Sequence, residues 1–332
     1  MRKANGIYTR VAIVATILVI ISIATSIVII SRNTDKMARG WRYSYPGQER
    51  QAIKYFTEAA NSDPDMIAAH ESLGFTYEKI GEIKSAIDEY KQAIKLVDQP
   101  NWERYYLLAR ALANNGDFEE AITHYNMALE INDEEALIYY ALAKVMIDDN
   151  SHEKSLENLR LPLEYLKKGN QAKYYTSYIP PMPIDKLSDD IVVNAISPEL
   201  SRENADIRKL SQDLIDIAKY HDEIGESDSA KSIASELLLF GKRQAFKSPQ
   251  CLNNVLNGIS ISKQVTSALG GLVYDHKQRD NLIAQYEHLW ELTKKEVQRP
   301  GNIKVEYKNN DLAFPEEMSR MKDILANWPS DE

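Results

Sequence analysis

The six histidines are the side chains in this chain most suited to acid–base or metal chemistry, and their spacing argues against both. His70, His124, His152, His221, His276 and His288 include no pair four residues apart, the spacing that puts two imidazoles on one helix face. None has a cysteine beside it, and the one cysteine, Cys251, gives neither a disulfide framework nor a thiolate zinc site. Gly270 and Gly271 lie in a helical pattern without the lysine-serine partner of a phosphate loop, and no Gly-x-Ser-x-Gly elbow occurs. The acidic doublets Asp148-Asp149 and Asp189-Asp190 read as solvated turn residues rather than catalytic carboxylates. The sequence therefore predicts no enzyme, no metal and no cofactor.

Charge narrows the partners. The 332-residue chain has a formal net charge of −9. Its first thirty residues carry Arg2, Lys3 and Arg10 and no acid, so the remainder is more acidic still. Such a body is a poor match for a phosphate backbone, and nucleic acid is not an expected partner. Hydrophobic residues make up 44% of the chain, enough for one elongated domain or two compact ones.

Residues 11–30, VAIVATILVIISIATSIVII, contain no charge, proline or glycine. As a helix they would measure about 30 Å, one hydrocarbon core. Arg10 and Arg32 bracket the run, with Tyr8 before it and Trp41, Tyr43 and Tyr45 after it as interfacial aromatics. A cleaved signal peptide would have a shorter apolar core followed by a small-x-small site. The expectation is a basic tail at 1–10 and an uncleaved transmembrane helix at 11–31. The short basic tail points to an extracytoplasmic body, although Arg32, Lys36, Arg39 and Arg42 nearly balance it. The expected location is that of a single-pass protein of a bacterial inner membrane. Ala12, Ala15, Val19, Ser22 and Ser26 share one face and would let the helix pair with itself or a partner.

The elements that must position any site are set by a repeat. GQERQAIKYFTEAANS, GEIKSAIDEYKQAIKL and GDFEEAITHYNMALEI begin at Gly47, Gly81 and Gly116, which fall 34 and 35 residues apart. Ala52, Ala86 and Ala121 keep that step, as do Ala59, Ala93 and Ala128, with Phe56, Tyr90 and Tyr125 between them. A period of this size indicates a solenoid. Glycine suits the turn between two helices, alanine the points of close crossing, and the aromatic the space beside them. Upstream helices repeat a second stripe: Leu73, Gly74 and Tyr77, then Tyr105, Leu108, Ala109 and Leu112, then Tyr139, Leu142, Ala143 and Met146.

On these positions the chain resembles the tetratricopeptide repeat (TPR) family. The resemblance implies an all-α, TPR-type helix-turn-helix solenoid, here behind an N-terminal transmembrane helix. It is strong over about 47–145. The solenoid would occupy 32–169, in units at about 33–66, 67–100, 102–135 and 136–169. In the last unit Ser155 replaces an alanine and Pro162 falls near the end. Residues 170–206, with SYIPPMPIDKLSDD, read as a proline-containing linker or a packed excursion across the solenoid. Residues 207–298 read as a C-terminal helical, degenerate repeat region. Ala218, Gly225 and Ala230 fit a distant unit there, and Ala234 holds the aromatic position. Residues 299–332 read as an arm and a short helix docked by Trp328.

In this family the first helix of each unit lines a concave groove. The resemblance implies a peptide-binding groove of Phe75, Tyr106, Arg110, Tyr140 and Lys144, with Glu71, Glu78 and Glu103 also facing inward. Aromatics give contact area at small entropic cost, and arginine grips carboxylates in a bidentate way. The terminal-carboxylate clamp of chaperone-binding members would fall on Met37, Trp41, Ser72, Glu103 and Tyr106, or one unit later on Glu71, Phe75, Tyr106, Leu137 and Tyr140. Neither set matches. The expected function is a membrane-anchored scaffold or assembly factor holding protein partners in the cell envelope. The alternatives are a structural subunit of a larger membrane complex, its groove permanently filled, and a substrate-holding chaperone similar to the repeat component of cytochrome c maturation.

Overall fold

The computed structural model describes residues 2–44, 46–96, 99–149, 156–175, 180–246, 252–297, 306–308, 311–313, 322 and 324–329. Helices pair in chain order. Helix α1 (Arg2–Arg42) packs on α2 (Glu49–Ser62), α3 (Ile67–Lys79) on α4 (Ile83–Lys95), α5 (Trp102–Asn115) on α6 (Phe118–Ile131), and α7 (Ala136–Asp149) on α8 (Leu156–Gln171). After one 3-10 turn (Ile184–Lys186) come α9 (Asp189–Glu223), α10 (Ser227–Ala245), α11 (Leu252–Val273) and α12 (His276–Val297). Strands β1 (Glu306–Lys308) and β2 (Asp311–Ala313) pair antiparallel with Tyr307 opposite Leu312.

The repeated residue types do what their chemistry allows. Gly116 ends α5 with φ 89°, in the left-handed region that costs glycine little. Its N–H donates to the Ala113 carbonyl (3.1 Å) and the Asp117 N–H to that of Leu112 (3.0 Å), which satisfies carbonyls the helix leaves open. Gly47, Gly81 and Gly225 turn the same way. Ala52, Ala59, Ala86, Ala93, Ala121 and Ala128 are all fully buried. In the first two pairs the aromatic of the second helix lies against a glycine of the first. A Cβ on Gly40 would sit 2.3 Å from Phe56, and one on Gly74 would sit 2.5 Å from Tyr90. Tyr90 cannot swing aside, because its hydroxyl donates to Glu78 (2.7 Å). Gly74→Ala is expected to cost about 1–3 kcal/mol through overpacking. Urea unfolding measures it, and an unchanged midpoint would remove the close-approach reading.

The transmembrane helix expected at 11–31, and with it the single-pass protein with an extracytoplasmic body, is corrected by the structure. Among the described residues no helix is long and apolar enough to cross a membrane. Residues 11–31 are not a separate element. Helix α1 continues unbroken to Arg42, and Met37, Ala38 and Trp41 at its end are buried as the first helix of the first repeat. The apolar run ends at Ile30. Arg32, Asp35, Lys36 and Arg39 then follow within about two turns. Membrane association through 11–30 and pairing of that helix have no support either. Within the small-residue stripe, the Ser26 hydroxyl turns back to the Ser22 carbonyl (2.9 Å) of its own helix, while the side chains of Ala12 and Ala15 lie outside the described residues.

The two halves of the chain form one continuous stack. Tyr174 bridges to the loop before α7, its N–H donating to the Glu134 carbonyl and its carbonyl accepting from Ala136 (both 2.9 Å). Asn170 donates to the Glu236 carbonyl (2.9 Å), and Arg243 to the Ala172 carbonyl (2.8 Å), so α10 is tied to the end of α8. Phe240 of α10 meets the Tyr140 ring edge-on at 4.6 Å. Helices α10 and α11 cross closely enough that a Cβ on Gly258 would lie 2.6 Å from the Gly241 carbonyl. Trp328 meets Tyr286 and Phe246 edge-on, each at 5.8 Å, which docks the C-terminal residues on α12 and the end of α10.

Candidate functional site

Helices α3, α5 and α7 line the concave face of the first four units, and that face is covered by the chain itself. The excursion after α8 reaches back to the first unit, where the Lys186 carbonyl accepts from Arg42 (3.4 Å) and the Lys186 ammonium pairs with Asp35 (3.0 Å). From Asp189 the chain returns as α9, which begins inside the stretch read as linker and runs on through Pro198. Its 200–210 segment lies over α3, α5 and α7 and closes the groove down to a cavity of about 40 Å³.

Tyr106, Arg110, Tyr140 and Lys144 line that cavity together, facing Glu203, Asp206, Ile207 and Leu210 of α9. Phe75 lies elsewhere, buried against Trp41 with ring centroids 5.8 Å apart. Tyr140 packs edge-on against Phe240 and, at 5.2 Å, Tyr175, while its hydroxyl donates to Asn170 (3.0 Å). Arg110 stacks over Tyr106 at 5.8 Å and gives two of its nitrogens to Glu78, Nη2 to Oε2 at 2.6 Å and Nε to Oε1 at 3.3 Å. Lys144 pairs with Asp148 (2.9 Å) and reaches Asp206 (3.6 Å). Burial alone would lower its pKa, but these two carboxylates outweigh burial and raise it.

The residue that organises this face is Glu78, which the sequence showed only as one of several inward positions. Its side chain is fully buried. It accepts from Arg110, Tyr90 (2.7 Å) and Asn114 (3.4 Å), and Arg202 of α9 approaches to 3.7 Å. Burial by itself would raise the carboxyl. Arg110, Arg202 and the Tyr90 hydroxyl together overcome that and hold it below the ordinary value. An acid one repeat upstream of an inward arginine was the available signal. Asp148, read as a solvated turn residue, is half-buried and bridges Lys144 to Lys209 of α9. Among the described residues, charge contacts join α9 to the concave wall from Arg202 to Glu78, Asp206 to Lys144, and Lys209 to Asp148.

Two of the described histidines, His70 and His221, serve local structure. His70 bonds Glu89 (2.7 Å) and the Pro64 carbonyl (3.1 Å), and His221 bonds Glu226 (2.7 Å) across the Gly225 turn. Among the described residues no cluster of three or more potential ligands could hold a metal.

A second concave face, between α9, α11 and α12, is open. It holds two adjoining clefts of about 470 and 430 Å³, both walled by Ser260 and Trp290. Helix α9 therefore fills one concave face with one stripe and walls the other with a second stripe.

These features define a stacked helix-pair solenoid of the protein-interaction class. Comparison with known families matches two stretches of it: residues 67–96 match the tetratricopeptide repeat, and residues 109–148 match a related TPR repeat. The chain carries TPR repeats, a family that mediates protein–protein interaction and is generally non-enzymatic. Among curated proteins, it is 29% identical over 139 residues to the human protein O-mannosyl-transferase TMTC3, covering 38% of this chain and 15% of that protein. It is 36% identical over 61 residues to the photosystem I assembly protein Ycf3 of Rippkaea orientalis, covering 18% of this chain and 35% of that one. The chain thus spans well under half the length of these relatives. Among solved structures, MamA aligns at 20% identity and a TM-score of 0.41, covering 64% of this chain and 94% of that one. Pseudomonas aeruginosa PilF aligns at 18% and 0.42, covering 81% and 97%.

Proposed function

We propose that this chain is a scaffold or assembly factor that holds a protein partner on its second concave face, between α9, α11 and α12. One observation carries the reading. Helix α9 already occupies the face of Tyr106, Arg110, Tyr140 and Lys144, whereas the α9–α11–α12 face keeps two open clefts beside a half-buried tryptophan. On this view the aromatic and cationic groove predicted from the sequence binds its ligand within the chain, and that ligand is α9. Partly buried tryptophans in a groove are strong anchors for a partner. The Ycf3 likeness, an assembly protein by its name, agrees with the reading over the short stretch it covers.

The filled first groove also favours a second reading, that of a stable subunit whose C-terminal helices carry a fixed interface. Affinity purification of the tagged full-length chain beside a Trp290→Ala variant, with mass spectrometry, separates the two. A partner recovered by the wild type and reduced about tenfold or more by Trp290→Ala supports the open face as the binding surface. A partner retained in fixed ratio by both proteins points to a subunit held elsewhere. Arg110 is a poor choice for the variant, because it is committed to a buried carboxylate.

A further inference from the structure

We propose that the open face between α9 and α11 takes an extended, acidic segment of the partner protein. The proposal rests on the reading of that face as the partner surface and specifies its ligand.

The wall of α9 runs from Ser201 to Lys219, about 27 Å of helix, which matches about eight residues of extended chain. The lining is rich in groups that pair with a peptide backbone: Gln212, Gln264, Ser260 and Ser267. An extended segment has free N–H and C=O groups to meet them, whereas a helix satisfies its own. The charged groups of the lining are Arg208, Lys219 and Lys263, and among the described lining residues none is acidic.

Arg208 is positioned by a relay of amides. It donates to Asn257 Oδ1 (3.1 Å), Asn257 donates to Asn204 Oδ1 (3.3 Å), and Asn204 donates to Asn254 Oδ1 (3.2 Å). Asn204, Asn254 and Asn257 are buried, so the guanidinium is held at the groove edge by a fixed support. Lys263 meets Glu287 of α12 (3.1 Å) in an exposed pair, and a ligand carboxylate can replace such a partner at little cost. Arg208 and Lys219 stand about 16 Å apart along α9, or about five extended residues. The ligand that fits has one acidic residue, then an apolar or aromatic residue for Trp290, then an acidic pair five positions after the first. Nucleic acid fits less well, since three cations on a chain of net charge −9 give a weak phosphate track.

The test uses the full-length chain and a fluorescein-labelled peptide, Asp-Ala-Ser-Phe-Ala-Glu-Glu with blocked ends, read by fluorescence anisotropy in low salt. Saturable binding is expected, weakened at least about tenfold by Lys219→Glu with Lys263→Glu, by Trp290→Ala, and by replacing the acids of the peptide with their amides. Lys219 is on the surface and Lys263 half-exposed, so an unchanged circular dichroism melt accompanies the loss. The proposal is overturned if no saturable binding occurs by about 1 mM peptide. It is also overturned if the amide peptide binds equally, or if the charge-reversed variant keeps its affinity. An oligouridylate that binds more tightly than the peptide, and is lost in the same variant, overturns it in favour of nucleic acid. Should the peptide fail while Trp290→Ala still loses the co-purifying partner, the acidic chemistry falls and the partner surface stands. Should Trp290→Ala keep that partner, the reading of the face falls as well.

Discussion

Glu78→Ala is expected to destabilise the chain by about 3–5 kcal/mol, because it leaves Arg110 buried without its carboxylate. The same change removes the acceptor of the Tyr90 hydroxyl and a carboxylate facing Arg202. Replacing both ends of the pair tests the cause. Glu78→Leu with Arg110→Met should recover most of the loss, since an apolar pair of similar volume avoids the desolvation cost. If the double variant is as unstable as Glu78→Ala alone, the buried charge is not the source. Hydrogen exchange adds a local readout: amides around Arg202 and Asp206 should open in Glu78→Ala, as α9 loses its Arg202 contact with Glu78 of the wall. The sign with pH follows from the depressed carboxyl. Its contribution is fully present above the ordinary glutamate value of 4.5 and is lost as pH falls through the lower folded value. The stability difference between wild type and variant should therefore shrink in acid.

Trp41→Ala is expected to cost about 3–5 kcal/mol, the usual range for removing a fully buried large aromatic. Trp41 meets Phe56 edge-on at 5.3 Å and Phe75 at 5.8 Å, so it seats the end of α1 on the first two units. Repeats contact mainly their neighbours, so the damage should stay local. Amides of α2 and α3 should lose protection from exchange, while those of α5 and α6 keep theirs. Uniform loss of protection along the chain would show instead that the solenoid unfolds as one block. Trp41→Phe is the control. It keeps an aromatic in the site and removes an indole N–H that is buried with no acceptor among the described residues. It should cost much less than the alanine change.

The correction at the N-terminus has a plain cause. Hydropathy counts a run of apolar residues as a unit, but a helix can continue past the run where nothing interrupts its backbone. No proline or glycine separates Ile30 from Arg39, so one helix carries through into the repeat. Whether the apolar stretch was an element of its own depended on what its far end packed against. Trp41, read as an interfacial aromatic, is instead enclosed by Phe56 and Phe75.

The repeats were legible because each depends on contacts inside one unit. Gly116 turns left-handed, Gly74 admits Tyr90, and the buried alanines let the helices cross, all set by residue type at fixed spacing. The groove positions Tyr106, Arg110, Tyr140 and Lys144 were legible for the same reason, as successive units bring equivalent residues to one wall. What covers that wall was not. Its partner lies some sixty to a hundred residues further on, past a proline-rich stretch that gives no helical signal. No periodicity within the groove records whether Glu78 meets solvent, a peptide or Arg202. Local spacing alone determined the units of the solenoid. Only the tertiary structure decided that α9 closes one face and opens another, because that choice rests on contacts between segments distant in sequence.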